Sequence, residues 1–330
     1  MHNLIINRYR KRLAYLGILS FYFVNICILF IYNYSWGFGE GAVQDLLLFM
    51  PRWLFLLLLL PAFLCLSLIR KHALPLLAVL IFNFVFYINY NIPISAFSSA
   101  VTPSDFRVMS ANIGGLKKKK EQLAEQIKYA KPNLIAFQET DKYKIQKILP
   151  SHWKIHCIDH KCLASEFEFS FIKKLSRRSF TGAGSYAVLY EVIIKGKRIN
   201  VVNVHIETPR KGFEETLWRS FDYTPMYYNV AQRYKETRNI STLIENDNPT
   251  ILLGDFNMPS ESRIYSRYFS EYTNSFDNNG IGLGYTKYTK IHGIRIDHVL
   301  VSKKLLSTNV WVGSDFGGDH RAIFTDVSFN

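Results

Sequence analysis

Polar side chains of the kinds that bind metal ions and phosphate follow an apolar stretch late in this sequence. The segment Ile251–Asn257 begins with three apolar residues typical of a buried strand, and ends with a glycine, an aspartate and, two residues later, an asparagine. A buried strand holds its end rigidly, so a carboxylate and an amide there could orient a metal ion, a water molecule or a phosphate. A plain Asp/Asn-rich turn has the same pattern. This segment alone leaves both interpretations open.

Five further polar clusters lie at the edges of apolar stretches. One isolated histidine or one Asp-His pair in such a place is more often structural than functional. Six clusters of similar type favour a shared site, because strand ends can converge at one edge of a sheet. The five clusters are Asn112, Gln138-Glu139, His205, Asp297-His298 and Asp319-His320.

The clusters, taken in order, resemble a known family. The motifs that carry the resemblance are Ser110-Ala111-Asn112, Gln138-Glu139, Asn203-Val204-His205, Gly254-Asp255-Phe256-Asn257, Arg295-Ile296-Asp297-His298 and Asp319-His320-Arg321, with Gly284-Tyr285-Thr286 as a weaker element. The set resembles the endonuclease/exonuclease/phosphatase superfamily, which includes DNase I, abasic-site endonucleases, inositol-polyphosphate phosphatases and neutral sphingomyelinases. The resemblance covers about residues 105–328. It is specific for fold and reaction type and says little about substrate.

The resemblance implies a fold and a chemistry. The fold is α/β (α+β): a four-layer α/β sandwich of two facing β-sheets flanked by helices, DNase I-like, with the active site where the strand ends meet. The chemistry is hydrolysis of a phosphate ester, which needs charge neutralised on the phosphoryl group and an oriented water. A hard ion such as Mg²⁺, or Mn²⁺ in its place, prefers oxygen ligands. We therefore expect one or two such ions.

The resemblance also suggests a role for each site residue. The metal ligands are Glu139, helped by Asn112 and Asp319. Asp255 orients or deprotonates the attacking water, and phosphate oxygens are bound by Asn112, His205 and Asn257. His320 is polarised by Asp297, and acts as a base or stabilises the pentavalent centre.

Several neighbouring residues remain open. His298 should point to the opposite face of its strand from Asp297 and is left out of the site. Glu207 shares a face with His205 and could touch the site. Glu166 and Glu168 are the candidates for a carboxylate partner of His205. Asp297 could instead form a strand-edge ion pair with Arg295.

The first 92 residues are of a different kind. Apolar runs extend over Leu13–Tyr32, Leu46–Ile69 and Ala73–Ile92, and the first is long enough to span a bilayer. We expect three membrane helices in a membrane anchor over residues 1–92. A signal peptide or a soluble helical bundle fits less well, since three runs are present and Leu56–Leu60 is all leucine.

Basic residues in the short loops predict the orientation. The cluster Arg8–Arg12 and the pair Arg70-Lys71 should be cytoplasmic, whereas residues 33–45 contain no Lys or Arg. The third span then places everything after it outside the cytoplasm. We expect an integral protein of a bacterial inner (plasma) membrane, with residues 93–104 as a linker and 105–330 as an extracytoplasmic catalytic domain.

Charge and cysteine content limit the kinds of substrate, surface and metal ion that the protein could bind. Residues 101–330 hold 33 of the 40 Lys and Arg and 24 of the 26 Asp and Glu, a net charge of +9. This suits a polyanionic substrate or an acidic membrane surface without choosing between them. Cys157 and Cys162 lie close together and lack the spacing of a zinc site. A disulfide between them would need an oxidising compartment, and this is left open.

The pattern of the polar part alternates strands and helices. We predict strands at Phe106–Ala111, Leu134–Phe137, Thr250–Leu253, Ile296–Ser302 and Ala322–Val327, a hairpin of Tyr186–Ile194 with Arg198–His205, and helices at Lys117–Ala130 and Tyr228–Ile244. Mixed elements of this kind indicate one large domain.

Three functions are compatible with these observations. The first is a membrane-anchored, extracytoplasmic, metal-dependent phosphoesterase that hydrolyses a lipid-linked phosphate or pyrophosphate at the bilayer surface. The second is a surface or periplasmic nuclease, with Arg177-Arg178 and Arg210-Lys211 as candidate DNA- or RNA-binding loops. The third is a non-catalytic membrane scaffold, which the complete set of polar clusters disfavours. No protein partner is predicted.

Overall fold

The structure is a computed structural model of the full chain. It describes residues 2–33, 42–54, 73–82, 88–93, 103–114, 120–179, 182–218, 222–244 and 247–330. The chain forms two compact units, residues 1–90 and 91–330.

The first unit contains the helices α1 (His2–Asn33), α2 (Ala42–Phe49) and α3 (Ala73–Phe82). The first expected span lies within α1. Most of the second, and part of the third, fall outside the described residues. Within the parts of this unit that the structure describes, no helix combines the length and the apolar character needed to cross a membrane.

The second unit is built around two mixed six-stranded sheets. The strands of the first sheet are, in spatial order, β13 (Leu305–Val312), β14 (Ile323–Phe329), β1 (Phe106–Asn112), β2 (Leu134–Gln138), β4 (Lys161–Ser165) and β3 (Lys154–Ile158). Those of the second are β5 (Glu168–Ser176), β6 (Ser185–Ile194), β7 (Lys197–His205), β8 (Thr250–Asp255), β12 (Asp297–Val301) and β9 (Thr273–Asn274). A separate two-stranded ribbon pairs β10 (Lys287–Tyr288) with β11 (Gly293–Ile294).

Helices accompany the sheets. The helices of this unit within the described ranges are α4 (Lys120–Ala130), α5 (Lys142–Gln146), α6 (Arg210–Trp218), α7 (Thr224–Ser241), α8 (Arg263–Phe269) and α9 (Ser275–Asn279). Residues of α4 and α5 pack on the first sheet, and residues of α7 and α8 pack on the second. The expected DNase I-like arrangement of two sheets with helices is therefore present.

Alternation along the strands explains the layers. Val108 of β1 and Val201 of β7 belong to the apolar core between the two sheets, whereas Met109 and Val202, the next residue in each strand, face the helices. Successive side chains of a strand point to opposite faces, so a strand buried on both sides is apolar throughout. This is why these strands were predicted as short apolar runs.

The predicted elements are found with shifted ends, and several others were not predicted. The predicted helix Tyr228–Ile244 is α7, which begins four residues earlier, and the last predicted strand is β14. Among the strands of five residues or more, β3, β4, β5 and β13 were missed. Three of these lie toward the edges of their sheets, where polar residues interrupt the apolar pattern.

Cys157 and Cys162 form a disulfide across the β3–β4 pair, where they are directly opposite each other. This resolves the question that the sequence left open.

Strand direction brings the polar ends together. β1 runs parallel to β2, and β7 runs parallel to β8, so Asn112 lies beside Gln138 and His205 beside Asp255. β12 runs antiparallel to β8, and its first residue, Asp297, is opposite Asp255. One edge of the sandwich thus collects side chains from five strands.

Candidate active site

Asp255 is held at the centre of this edge. Its Oδ2 accepts a hydrogen bond from Asn112 Nδ2 at 2.9 Å, and its Oδ1 accepts one from the backbone N–H of Asn257 at 2.9 Å. The preceding residue must be glycine: Gly254 has φ +147°, and a Cβ there would lie 2.0 Å from the carbonyl oxygen of Val204. The glycine therefore permits the close approach of β7 that fixes the carboxylate.

Glu139 lies across from Asp255 and is bridged to it by an amide. Asn112 Nδ2 also donates to Glu139 Oε1 at 2.9 Å, so one NH₂ group holds both carboxylates. Glu139 follows β2 in a left-handed conformation, with φ +56°, which turns its side chain into the site. Since its side chain is about half exposed, it can meet a ligand from solvent.

His320 and Asp297 form a buried carboxylate–imidazole pair. The Nδ1 and Oδ2 atoms are 2.8 Å apart, and His320 Nε2 lies 3.7 Å from Asp255 Oδ2. The hydroxyl of Thr286 accepts hydrogen bonds from the backbone N–H groups of Ile296 and Asp297, which fixes the start of β12. The imidazole is thus oriented with Nδ1 on Asp297 and Nε2 toward Asp255.

The buried charges shift the proton affinities in this group. Burial, and then the negative charge of Asp297, raise the pKa of Asp255 to about 7. Burial alone would lower the pKa of His320, but the charges of Asp297 and Asp255 raise it to about 9. The arrangement gives a carboxylate that can take up a proton near neutral pH beside an imidazolium that can stabilise negative charge.

His205 has a different environment from the one expected. Its Nε2 lies 3.6 Å from Glu139 Oε1 and 3.8 Å from Asp255 Oδ2. Burial is the main reason that its pKa is well below the ordinary value, and the positive charges of Lys161 and Arg177 lower it further. His205 is therefore a neutral imidazole, able to accept or donate one hydrogen bond.

The two carboxylates suggested as partners of His205 are elsewhere, and that expectation is wrong. Glu166 accepts from Asn133 Nδ2 at 2.9 Å and lies 3.7 Å from His152, and Glu168 pairs with Lys154. The reason is strand direction: β4 is antiparallel to β2, so its C-terminal end lies at the edge of the sheet away from the site.

Asn257 lies at the site, but its side-chain NH₂ group already forms a hydrogen bond with the backbone. It has φ +50°, and its Nδ2 donates to the carbonyl oxygen of Ile206 at 2.9 Å. This bond ties the segment after β8 to the segment after β7. Its role on phosphate stays a prediction.

Asp319 lies at the rim of the site. It forms an ion pair with Lys287 of β10, and its side chain is more than half exposed. It is not a member of the carboxylate–histidine clusters found among the described residues. Its proposed help in metal binding stays a prediction.

Three other residues have structural partners. Arg295 pairs with Asp277 and not with Asp297. His298 faces away from the site, with Nε2 2.9 Å from the carbonyl oxygen of Met258. Glu207 binds Arg177 and Lys211, next to the site but directed into a neighbouring ion-pair cluster.

Two groups at the site were missed by reading the sequence. Arg177 forms an ion pair with the buried Glu236 and donates to the carbonyl oxygen of His205 at 3.0 Å. Lys161 is buried, and its Nζ donates to the carbonyl oxygen of Ser185 at the start of β6 in the other sheet. Arg177 was predicted only as a candidate DNA- or RNA-binding residue, and Lys161 was not singled out, although a lysine at the start of an otherwise apolar stretch was a visible signal.

The donor set fits a divalent metal ion. Glu139, His205 and Asp255 each offer one ligand atom, and so do Asp255, Asp297 and His320, with the atoms of each cluster within 4.8 Å of one another. Two carboxylates with a neighbouring amide oxygen suit Mg²⁺ or Mn²⁺, and the histidines would also suit softer divalent ions.

Comparison with known proteins agrees with this geometry. Residues 109–320 match the model of the endonuclease/exonuclease/phosphatase family, which is more than half of the chain. The chain therefore belongs to this family, and it is a phosphoesterase, a hydrolase of phosphoric esters. None of the curated proteins matches the chain significantly.

Solved structures with the same fold are distant in sequence. An endonuclease/exonuclease/phosphatase family protein from Bacteroides thetaiotaomicron is 15% identical, with a TM-score of 0.52 and coverage of 68% of this chain and 95% of that one. The catalytic domain of human Nocturnin, with a bound sulfate anion, is 17% identical, with a TM-score of 0.53 and coverage of 71% and 99%. At this identity the likeness shows the fold alone.

Proposed function

We propose that this phosphoesterase is a membrane-anchored, extracytoplasmic, Mg²⁺-dependent enzyme that hydrolyses a lipid-linked phosphate ester or pyrophosphate. The observation that carries the hydrolytic part is the hydrogen-bonded arrangement of Glu139, Asn112 and Asp255, with the Asp297–His320 pair 3.7 Å from Asp255. It combines a cation site, a buried base and an imidazolium within one edge of the sandwich.

Each residue of the chain has a distinct task in this mechanism. Glu139 and the oxygen of Asn112 would hold the ion, with Asp319 at the rim as a further candidate. When bound, the ion supplies positive charge for the phosphoryl group. Asp255 takes a proton from the attacking water, and the imidazolium of His320 stabilises charge on the phosphoryl oxygens. The neutral His205 and the Asn257 amide orient the phosphate by hydrogen bonds.

The lipid part of the proposal rests on the sequence before the catalytic unit. Three apolar runs and the leucine-rich segment 56–60 are typical of membrane helices. A tether beside the bilayer raises the effective concentration of a lipid-linked substrate. An anchor of this kind therefore increases the rate of hydrolysis most for a substrate that is itself embedded in the membrane.

The extracytoplasmic location and the bacterial inner membrane are parts of the same proposal. The distribution of Lys and Arg in the N-terminal loops supports the orientation. The Cys157–Cys162 disulfide supports it independently, because disulfides persist mainly in oxidising compartments. A reporter fusion after residue 330 tests it: the proposal expects a signal from outside the cytoplasm, and a cytoplasmic signal would refute it.

A substrate panel tests the activity. Full-length protein with Mg²⁺ is given lipid-linked pyrophosphate and a phospholipid in vesicles, and DNA and RNA in solution. We expect turnover of a lipid substrate that is insensitive to salt. Turnover of nucleic acid alone, falling steeply with salt, would replace the lipid proposal with the nuclease.

A nuclease is the second candidate, favoured by the net charge of +9 over residues 101–330. Three of the four basic residues suggested as its contacts are, however, paired with carboxylates within the protein. Arg177 binds Glu236 and Glu207, Lys211 binds Glu207, and Arg210 binds Glu214. We therefore rank the lipid substrate first.

A further inference from the structure

A buried ion pair lies next to the strand end that carries His205. Arg177, in the turn after β5, donates from Nε to Glu236 Oε1 at 2.6 Å and from Nη2 to Glu236 Oε2 at 3.1 Å. Glu236 belongs to α7 and its side chain is fully buried, and that of Arg177 is 14% exposed. Two parallel bonds between a guanidinium and a carboxylate fix the orientation of both groups as well as their distance.

Both members of this pair also bind the backbone at the end of β7. Arg177 Nη2 donates to the carbonyl oxygen of His205 at 3.0 Å. Glu236 Oε2 accepts from the backbone N–H of Glu207 at 2.8 Å. The ion pair therefore binds the peptide groups on both sides of Ile206.

The residue between these two contacts is held by the active site itself. The backbone N–H of Ile206 donates to the carbonyl oxygen of Asp255 at 3.1 Å, and its carbonyl oxygen accepts from Asn257 Nδ2 at 2.9 Å. The segment 205–207 is thus bound by the ion pair and, between those contacts, by the residues at the end of β8. A displacement of the ion pair would be transmitted to both histidine and aspartate strands.

A buried ion pair is weak evidence of a role in stability alone. Taking a guanidinium and a carboxylate out of water costs about as much free energy as their attraction returns, so well-packed apolar residues often serve a core equally well. Apolar side chains could not, however, donate to the His205 carbonyl oxygen or accept from the Glu207 N–H. These two backbone contacts are what the charged pair provides beyond packing.

We propose that Arg177 and Glu236 are positioning residues of the active site, which fix the backbone of His205 and thereby the place of its imidazole. His205 Nε2 lies 3.6 Å from Glu139 Oε1 and 3.8 Å from Asp255 Oδ2, and a shift of the backbone would change both distances. The pair acts through His205 and not on the substrate. Its consequence for phosphate binding rests on the proposed function of His205.

The competing explanation is that the pair only joins the turn after β5 to α7. Removal of one partner leaves a buried charge and destabilises the protein under either explanation. Removal of both partners separates them, because two apolar residues can restore stability but cannot restore the two backbone contacts.

The deciding experiment measures how fast diethylpyrocarbonate modifies His205 in the full-length protein. Peptide mass spectrometry gives the rate without metal at about pH 8, where a histidine side chain is neutral. The variants are Arg177→Met, Glu236→Met and the double variant. We expect each single substitution to lower Tm and the double variant to recover most of the loss. In the double variant His205 should still be modified about 10-fold faster than in wild type, the equivalent of one charge-assisted hydrogen bond.

Two controls accompany this measurement. His152, whose side chain is 64% exposed, should be modified at the same rate in every variant. Arg198→Met breaks an exposed arginine–glutamate pair with Glu191 near the start of β7. It should leave the modification rate of His205 at the wild-type value.

The binding of inorganic phosphate with Mg²⁺, measured by calorimetry, tests the consequence. We expect the double variant to bind phosphate about 10-fold more weakly than wild type. In a His205→Ala background the same two substitutions should have no further effect, because the pair acts through His205.

A double variant with recovered Tm in which His205 is modified at the wild-type rate would overturn the proposal. If the double variant does not fold, Arg177→Lys decides in the same way, since lysine keeps a charge opposite Glu236 but lacks the two-nitrogen fork. Faster modification with unchanged phosphate affinity would confirm the positioning and refute the proposed function of His205 on phosphate. The modification rate needs no substrate, so it decides whatever the substrate panel shows.

Discussion

The buried ammonium group of Lys161 should make protein stability rise with pH in an alkaline window. Burial, and next the positive charge of Arg177, lower its pKa in the folded protein from 10.5 to about 8. Below pH 8 both the folded and the unfolded chain hold the proton, and the cost of the buried charge is constant. Between pH 8 and 10.5 the folded chain releases the proton first, so stability increases as pH rises.

The size of this effect follows from the two pKa values. They differ by about 2.5, which corresponds to about 3 kcal/mol. For a unit of this size that is about 10 °C in Tm. Other charges act on the same group: Asp159 and Glu236 raise the pKa, and Lys174 lowers it. Their contributions are included in the value of about 8.

The assay is thermal unfolding of full-length wild type and Lys161→Met from pH 7 to 11 in a buffer without phosphate. Methionine cannot titrate, so the difference in Tm isolates Lys161. We expect wild type to gain about 10 °C relative to the variant between pH 8 and 10.5. Lys304→Met, which removes a half-exposed lysine paired with Asp247, should show no such change. A difference in Tm between wild type and Lys161→Met that stays constant with pH would refute the presence of a buried ammonium group at Lys161.

Three further predictions concern the site and the disulfide. Asp297→Asn should lower kcat about 10²- to 10⁴-fold with little change in KM, because His320 loses its orienting carboxylate; steady-state kinetics measure this, and an unchanged kcat would contradict it. Glu139→Gln should raise the Mg²⁺ concentration for half-maximal activity about 10- to 100-fold, and an unchanged Mg²⁺ titration would exclude it as a ligand. Reduction of Cys157–Cys162 should cost about 2 kcal/mol of stability, seen as a lower Tm with dithiothreitol, whereas the double serine variant should not respond to the reductant.

The site was more predictable than the elements around it. Asn112 and Asp255 end a strand that is buried on both faces, and Glu139 directly follows one, so each stands at the polar end of an apolar run in the sequence. Since parallel strands end at the same edge of a sheet, polar ends of this kind converge. The order of the motifs along the sequence provided the family resemblance from which the roles of these residues were predicted.

What could not be predicted depends on long-range pairing. Glu166 and Glu168 were reasonable partners of His205 by sequence, but the missed β3–β4 hairpin reverses the chain and carries them to the far edge. The same hairpin brings Lys161 to the near edge. A short hairpin with only four residues between its cysteines leaves no clear periodicity, so the register could not be read from the pattern.

Asp319 shows a second reason why a side-chain position could not be predicted from the sequence. Of the motif Asp319-His320, the structure brings His320 to Asp297. The side chain of Asp319 instead meets Lys287, because β10 forms a bridge with His320 in the folded chain. Adjacent residues of an extended segment point in opposite directions, so a dipeptide motif cannot place both side chains.

The most direct test of the account is the Mg²⁺-dependent hydrolysis of lipid-linked pyrophosphate in vesicles by wild type and Asp255→Asn. The matched control is Asp247→Asn, an exposed aspartate paired with Lys304. The account predicts that Asp255→Asn loses at least about 10²-fold in kcat while Asp247→Asn keeps wild-type activity. Equal turnover by wild type and Asp255→Asn would contradict it.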